Sequence, residues 1–147
     1  MVLLFCLGLS VFSKKNPPVP ETKPLEPGLS EITIGNSKLY VEKATSDEER
    51  SRGLSGRTEL GANRGMMFVF PTSGTKFFWM KDTLIPLDII WVANNIVVGT
   101  DHMFTELDTS LSLVKHYISP SPVDTVIETN LNWTTNNNIN VGDKVLY

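Results

Sequence analysis

Residues 66–70 (MMFVF) are apolar at five successive positions, and residues 76–80 (KFFWM) repeat the pattern after the turn composition Pro71-Thr72-Ser73-Gly74. A strand covered on one side alternates apolar with polar residues, so a run apolar on both faces needs cover on both. Both runs therefore predict strands interior to a curled sheet or small barrel. Residues 87–92 (LDIIWV) and 96–100 (IVVGT) predict a hairpin closed by Asn94-Asn95, because asparagine tolerates left-handed backbone. A second hairpin is expected from residues 32–34 and 38–44 across Gly35-Asn36-Ser37. Residues 124–128 (DTVIE) read as a strand, 131–137 as a helical turn and 144–147 as a closing strand. Residues 101–122 show no clear period and read as loop.

One helix carries its own punctuation. Thr45 or Ser46 can cap it, Asp47, Glu48 and Glu49 occupy its first turn, Arg50 and Arg52 its last, and Gly53 suits the left-handed position beyond its end. The expected fold class is α+β: a β-rich compact domain with a curled antiparallel or mixed sheet, or a small barrel, and two short helices.

The first residues differ in character. Residues 1–13 hold an apolar run (VLLFCLGLSVF) of the length of a secretory signal core, too short to cross a bilayer as a helix. Cys6 follows Phe5 and precedes Leu7, which is not the setting of a lipid-modified cysteine. Residues 14–30 are proline-rich and read as an extended spacer, leaving residues 31–147 as the folded domain. The expectation is an exported protein, periplasmic or extracellular, touching a membrane only through an uncleaved N-terminal segment.

Charge and cysteine content exclude several classes of function. Lys and Arg number 13 against 16 Asp and Glu, a net charge of −3, so no basic footprint for nucleic acid is present. A single Cys forbids an internal disulfide and, with two His, a closed Cys/His zinc site. No phosphate loop, dinucleotide fingerprint or nucleophile elbow occurs. His102 with Asp101, Glu106 and Asp108 does not share a helical face, so no metal is assigned, and no cofactor is expected. A monomer is expected.

The central stretch carries a resemblance. Residues 52–57 (RGLSGR), 64–71 (RGMMFVFP) and 78–90 (FWMKDTLIPLDII), continued by Val126-Ile127-Glu128, Asn130, Trp133 and Val141-Gly142-Asp143, resemble the DUF192 family of small prokaryotic domains. That resemblance implies a small β-rich fold, often behind a signal peptide, and no established activity. Two positions depart from the family pattern: Asp82 stands where Asn is usual, and Asn132 where Gly is usual. Asparagine is the usual substitute for glycine in left-handed backbone, so the second change preserves a turn.

Within that stretch, Lys81 and Asp88 flank one short connection through Pro86, and Asp88 sits between Leu87 and Ile89, where an unpaired carboxylate would be penalised. Two readings stay open. Asp88 can be a buried acceptor that takes turn N–H groups, or pairs with Lys81 or an Arg, and so holds the bend. Alternatively Lys81, Asp82 and Asp88 line a cleft walled by Phe78, Trp79 and Met80, which would take a small polar or carbohydrate-like ligand. Arg52, Arg57 and Arg64 could clamp a carboxylate or phosphate, or pair with Glu59 and other surface acids. Gly53, Gly65, Pro86, Asn132, Gly142 and Asp143 are read as turn and cap residues. No catalytic residue is assigned. The enzymatic alternative is a hydrolase using Asp88 and Asp82 as acid and base, and a structural envelope module would instead show a broad apolar patch and no cleft.

Overall fold

The computed structural model describes residues 26–105 and 115–147. The signal-like run, most of the proline-rich spacer, Cys6, Glu106 and Asp108 lie outside the described residues. Those residues form strands β1 (Leu29–Ile34), β2 (Ser37–Ala44), β3 (Arg64–Gly74), β4 (Phe77–Phe78), β5 (Leu87–Ala93), β6 (Ile96–Met103), β7 (Tyr117–Ile118), β8 (Val123–Asn130) and β9 (Val145–Leu146), with helices α1 (Asp47–Arg52) and α2 (Trp133–Asn136).

Seven strands make one curled sheet in the order β6-β5-β8-β3-β2-β1-β9, and β4 pairs with β7 as a separate flap. Every pair is antiparallel except β2 with β3. A parallel pair needs a crossover, which residues 45–63 supply with α1 inside them. The sheet curls until its ends meet. Val145 donates its N–H to the Asn95 carbonyl at 2.8 Å, and Val97 donates to the Asp143 carbonyl at 2.9 Å, joining β9 to the start of β6. The result is a half-barrel in an α+β domain.

Alternation along the central strands sends two apolar sets to two cores. Met67, Ile90, Val92 and Ile127 point inward to meet Ile32, Ile34, Leu39 and Val41, and Trp133 of α2 closes that core. Met66, Phe68, Ile89, Trp91 and Val126 point outward beneath a second layer made by Leu54, Met80 and Tyr117. This double cover explains why β3 is apolar on both faces, as its sequence demands.

Local signals behave as expected at most joints. Ser46 caps α1 by accepting the Glu49 N–H, while the Glu49 carboxylate accepts the N–H groups of Ser46 and Thr45, at 2.9 and 2.8 Å. Those backbone donors hold the Glu49 pKa down at about 2. Gly53 ends the helix with φ 49°. Asn94 and Asn95 (φ 50° and 61°) turn the β5–β6 hairpin, and Asn132 takes φ 67° in place of the family's glycine.

Three expectations are corrected. Residues 76–80 are not an interior strand: β4 is two residues long and pairs only with β7, leaving Phe77 63% and Trp79 50% exposed while Met80 is buried. Residues 101–122 are not all loop, because β6 runs to Met103 and β7 follows at Tyr117. Gly65 is not a turn residue either. It lies inside β3 opposite β8, where an added Cβ would stand 2.5 Å from the Glu128 carbonyl oxygen. Backbone cannot yield as a flexible side chain can, so Gly65→Ala is expected to cost about 1–3 kcal/mol of stability, measured by urea unfolding. An unchanged midpoint would show that β3 and β8 can separate freely.

Candidate functional site

Asp88 is fully buried on the inward face of β5, and its carboxylate is crowded with donors. Oδ1 accepts the Asn132 N–H at 3.0 Å and lies 2.6 Å from His102 Nδ1. Oδ2 accepts the Thr134 N–H at 2.9 Å and the Thr134 hydroxyl at 2.5 Å. The left-handed backbone of Asn132 aims the first turn of α2 at this acceptor. Asp88 is therefore a latch between β5 and α2. Of the partners expected for Asp88, the turn N–H groups are the ones it has; Lys81 and the arginines are not, because the carboxylate's acceptor sites are already taken from the opposite side.

A cleft of about 530 Å³ opens on the other side of the sheet. Its floor is Phe68, Phe70 and Glu128 from β3 and β8. One wall is α1 and residues 53–55, the other is residues 77–79 and 81–83. Asp82 joins the walls through its backbone: it takes φ 56°, and its carbonyl accepts the Gly56 N–H at 2.8 Å. Aspartate, like the asparagine usual in the family, is one of the few residues that enter this conformation readily.

Stacked rings shape the interior. Phe78 stands edge-on to Phe68 at 5.0 Å and to Trp91 at 5.7 Å between centroids. Phe70 lies beneath Arg50 and Lys76, while the Lys81 ammonium sits 5.7 Å from the Trp79 ring centroid. Arg50 is committed to Asp47 at 2.6 Å and to the Val69 carbonyl at 2.7 Å. Among the described residues, Arg52 and Lys81 enter no ion pair.

Of the residues singled out from sequence, Phe78, Trp79, Lys81, Asp82 and Arg52 line this cleft. Met80 supports it from the outer core, and Asp88 is not part of it. The three arginines do not line one cleft, although the charge of each bears on Glu42. Arg57 makes a two-pronged bond to Glu42, with both distances 2.6 Å, and not to Glu59. That guanidinium holds the Glu42 carboxyl below its usual pKa. Arg64 pairs with Glu26 at 2.9 Å, and both Arg57 and Arg64 line a separate recess of about 240 Å³. The acid–base pair of the hydrolase alternative does not exist: Asp82 and Asp88 share no cavity, and Asp88 is saturated. Asp101 accepts the Trp91 indole N–H at 2.9 Å and His102 faces Asp88, so each has a structural partner.

Glu128 was not singled out from sequence as a site residue. Its cross-strand neighbours are Met66 and Ile89, and it is 5% exposed. Among the described residues no side chain or backbone group bonds its carboxyl, and burial alone pushes its pKa up to about 8. The available signal was alternation: in residues 124–128 the acid falls on the same face as Val126, an odd place for a carboxyl unless that face meets a cavity.

A small half-barrel with a helix-plugged core and an aromatic cleft on its outer face is the class this geometry defines. The chain belongs to the DUF192 family, described as "Uncharacterized ACR, COG1430", whose profile matches residues 30–147. Two solved structures share the fold. One, a protein of unknown function from Novosphingobium aromaticivorans, is 29% identical, with 81% of this chain and 85% of that one covered at a TM-score of 0.72. The other, titled a putative transcription regulator from Sinorhizobium meliloti, is 23% identical, with 78% and 90% covered at 0.71. No curated protein matches the chain.

The two buried acids make opposite predictions. Asp88→Asn should lose roughly 3 kcal/mol, since an amide nitrogen would face donors, and undiminished stability would refute the latch. For Glu128 the folded pKa lies above the unfolded value near 4.5, so the native state holds the proton more tightly. Its stability contribution is complete below pH 4.5 and declines up to about pH 8. Glu128→Gln should remove that decline and unfold at higher urea than wild type at pH 8. Parallel pH profiles for the two proteins would contradict the buried acid.

Proposed function

We propose that this DUF192 domain is an exported binding or accessory module that takes a small polar or carbohydrate-like ligand in the outer cleft. The carrying observation is the cleft itself. Its volume is within the range of small-molecule sites, aromatic rings form its walls, and a few charged groups stand at its mouth. Trp79 exposes half its surface at that mouth, with Lys81 beside it, an arrangement suited to stacking on a ring and holding a polar substituent. Export is supported by the apolar run within residues 1–13 and the proline-rich spacer after it.

A thermal-shift screen against sugars, sugar acids, nucleotides and amino acids tests the reading. At least one class should raise the wild-type melting temperature, and Trp79→Ala should abolish the rise while unfolding at nearly the wild-type temperature. A screen in which no class moves either protein removes the cleft as a binding site.

A further inference from the structure

We propose that Glu128 is the ligand-reading group of the cleft, and that the ligand it selects is a hydroxyl-bearing carboxylate of the sugar-acid type. The inference rests on the cleft being a binding site and adds the chemistry of its floor and mouth.

The floor argument starts from β8. Glu128 lies between Met66 of β3 and Ile89 of β5, both buried and apolar, so neither flanking strand offers it a partner. Its carboxyl lines the cleft beside Phe68 and Phe70. Buried polar groups are bonded in nearly all folded proteins, and the open direction for this one is into the cavity. In its acid form a carboxyl offers one O–H donor and one carbonyl acceptor side by side. A ligand hydroxyl answers both, donating to the carbonyl and accepting from the O–H. A ligand carboxylate at the floor would bury an unpaired charge among apolar side chains and is disfavoured.

The mouth selects the other end. The charged groups facing the cleft are Asp47, Arg50 and Arg52 on α1 with Lys81 and Asp82 opposite, while β3 and β5 contribute none. Asp47 and Arg50 neutralise each other at 2.6 Å, so among the described residues lining the cleft Arg52 and Lys81 stand against Asp82. The mouth is thus net positive and suits one carboxylate. Trp79 and Phe77 are both exposed there; His116 lies against the Trp79 ring at 5.9 Å between centroids, and the remaining ring surface is offered to the C–H side of a sugar ring.

Calorimetric titration with D-glucuronate, D-galacturonate and D-gluconate tests this, since none of these probes titrates between pH 6 and 9.5. At least one should bind wild type at pH 6, and with Glu128 titrating at about 8 its affinity should fall about thirtyfold by pH 9.5. Glu128→Gln keeps a donor and an acceptor, so it should bind within a few-fold of wild type with no pH dependence. Glu128→Leu, which is expected to fold because it places an apolar side chain among apolar neighbours, should bind at least tenfold more weakly at pH 6. Full affinity in Glu128→Leu, or a wild-type affinity independent of pH, overturns the role of Glu128. Binding of another class, such as free glucose or an amino acid, that depends on Trp79 while all three sugar acids fail, overturns this inference and leaves the cleft reading intact. No binding by any probe overturns both.

Discussion

The half-barrel needs its inner core closed at one end, and a single carboxylate does that work. A helix of four residues has little stability of its own, because nucleation is costly and few intrahelical bonds repay it. Trp133 anchors α2 from below, but its orientation comes from Asp88, which gathers two backbone N–H groups and a hydroxyl of the Asn132–Thr134 turn and the imidazole of His102. The acid is stranded among Leu87, Ile89 and Ile90, so losing those donors would leave a buried polar group without partners. Strand, helix and the edge strand β6 are thereby held in one arrangement. The inner core and the outer layer both build on that fixed sheet.

Because the sheet is covered twice, much of the architecture was legible in the chain. Residues 66–70 had to be buried on both faces, the two hairpins were marked by their Gly-Asn and Asn-Asn turns, and α1 announced its cap and its terminal glycine. Residues 76–80 misled for a physical reason. Phe78 and Met80 do face inward, so half of the run obeys strand alternation. The other half, Phe77 and Trp79, is apolar yet exposed on the flap. Two-faced apolarity normally means double burial, but it also arises where aromatic side chains wall a cleft. Local pattern cannot separate those cases, since the difference lies in whether another layer lies above.

The charged residues were legible in part for a similar reason. Arg52, Lys81 and Asp82 come to one cleft because the segment that follows α1 is joined to the loop of Lys81 through the Asp82 carbonyl. Arg57 and Arg64 were grouped with Arg52 by nearness in sequence, yet they pair with Glu42 and Glu26 and line a separate recess. Asp88 was correctly marked, in one of its two readings, as a buried acceptor of turn N–H groups, without the particular turn being named. Its donors come from residues 102 and 132–134, more than a dozen positions away, and no local signal names them.

Asp88 and Glu128 show how surroundings divide the work between two acids on neighbouring strands. Asp88, facing inward, meets donors and is consumed by the fold. Glu128, facing outward one strand away, meets hydrocarbon and an opening. The fold gains nothing from the second arrangement. A leucine would fill the space between Met66 and Ile89 without the desolvation that Glu128 suffers, so packing alone does not account for an acid there. Groups that cost stability and lack a structural partner are the ones a binding site needs, because their bonding capacity is still unspent when the ligand arrives. The saturated carboxylate holds the molecule together. The other, unpaired among the described residues, lies at the floor of an aromatic cleft with its bonding capacity unspent.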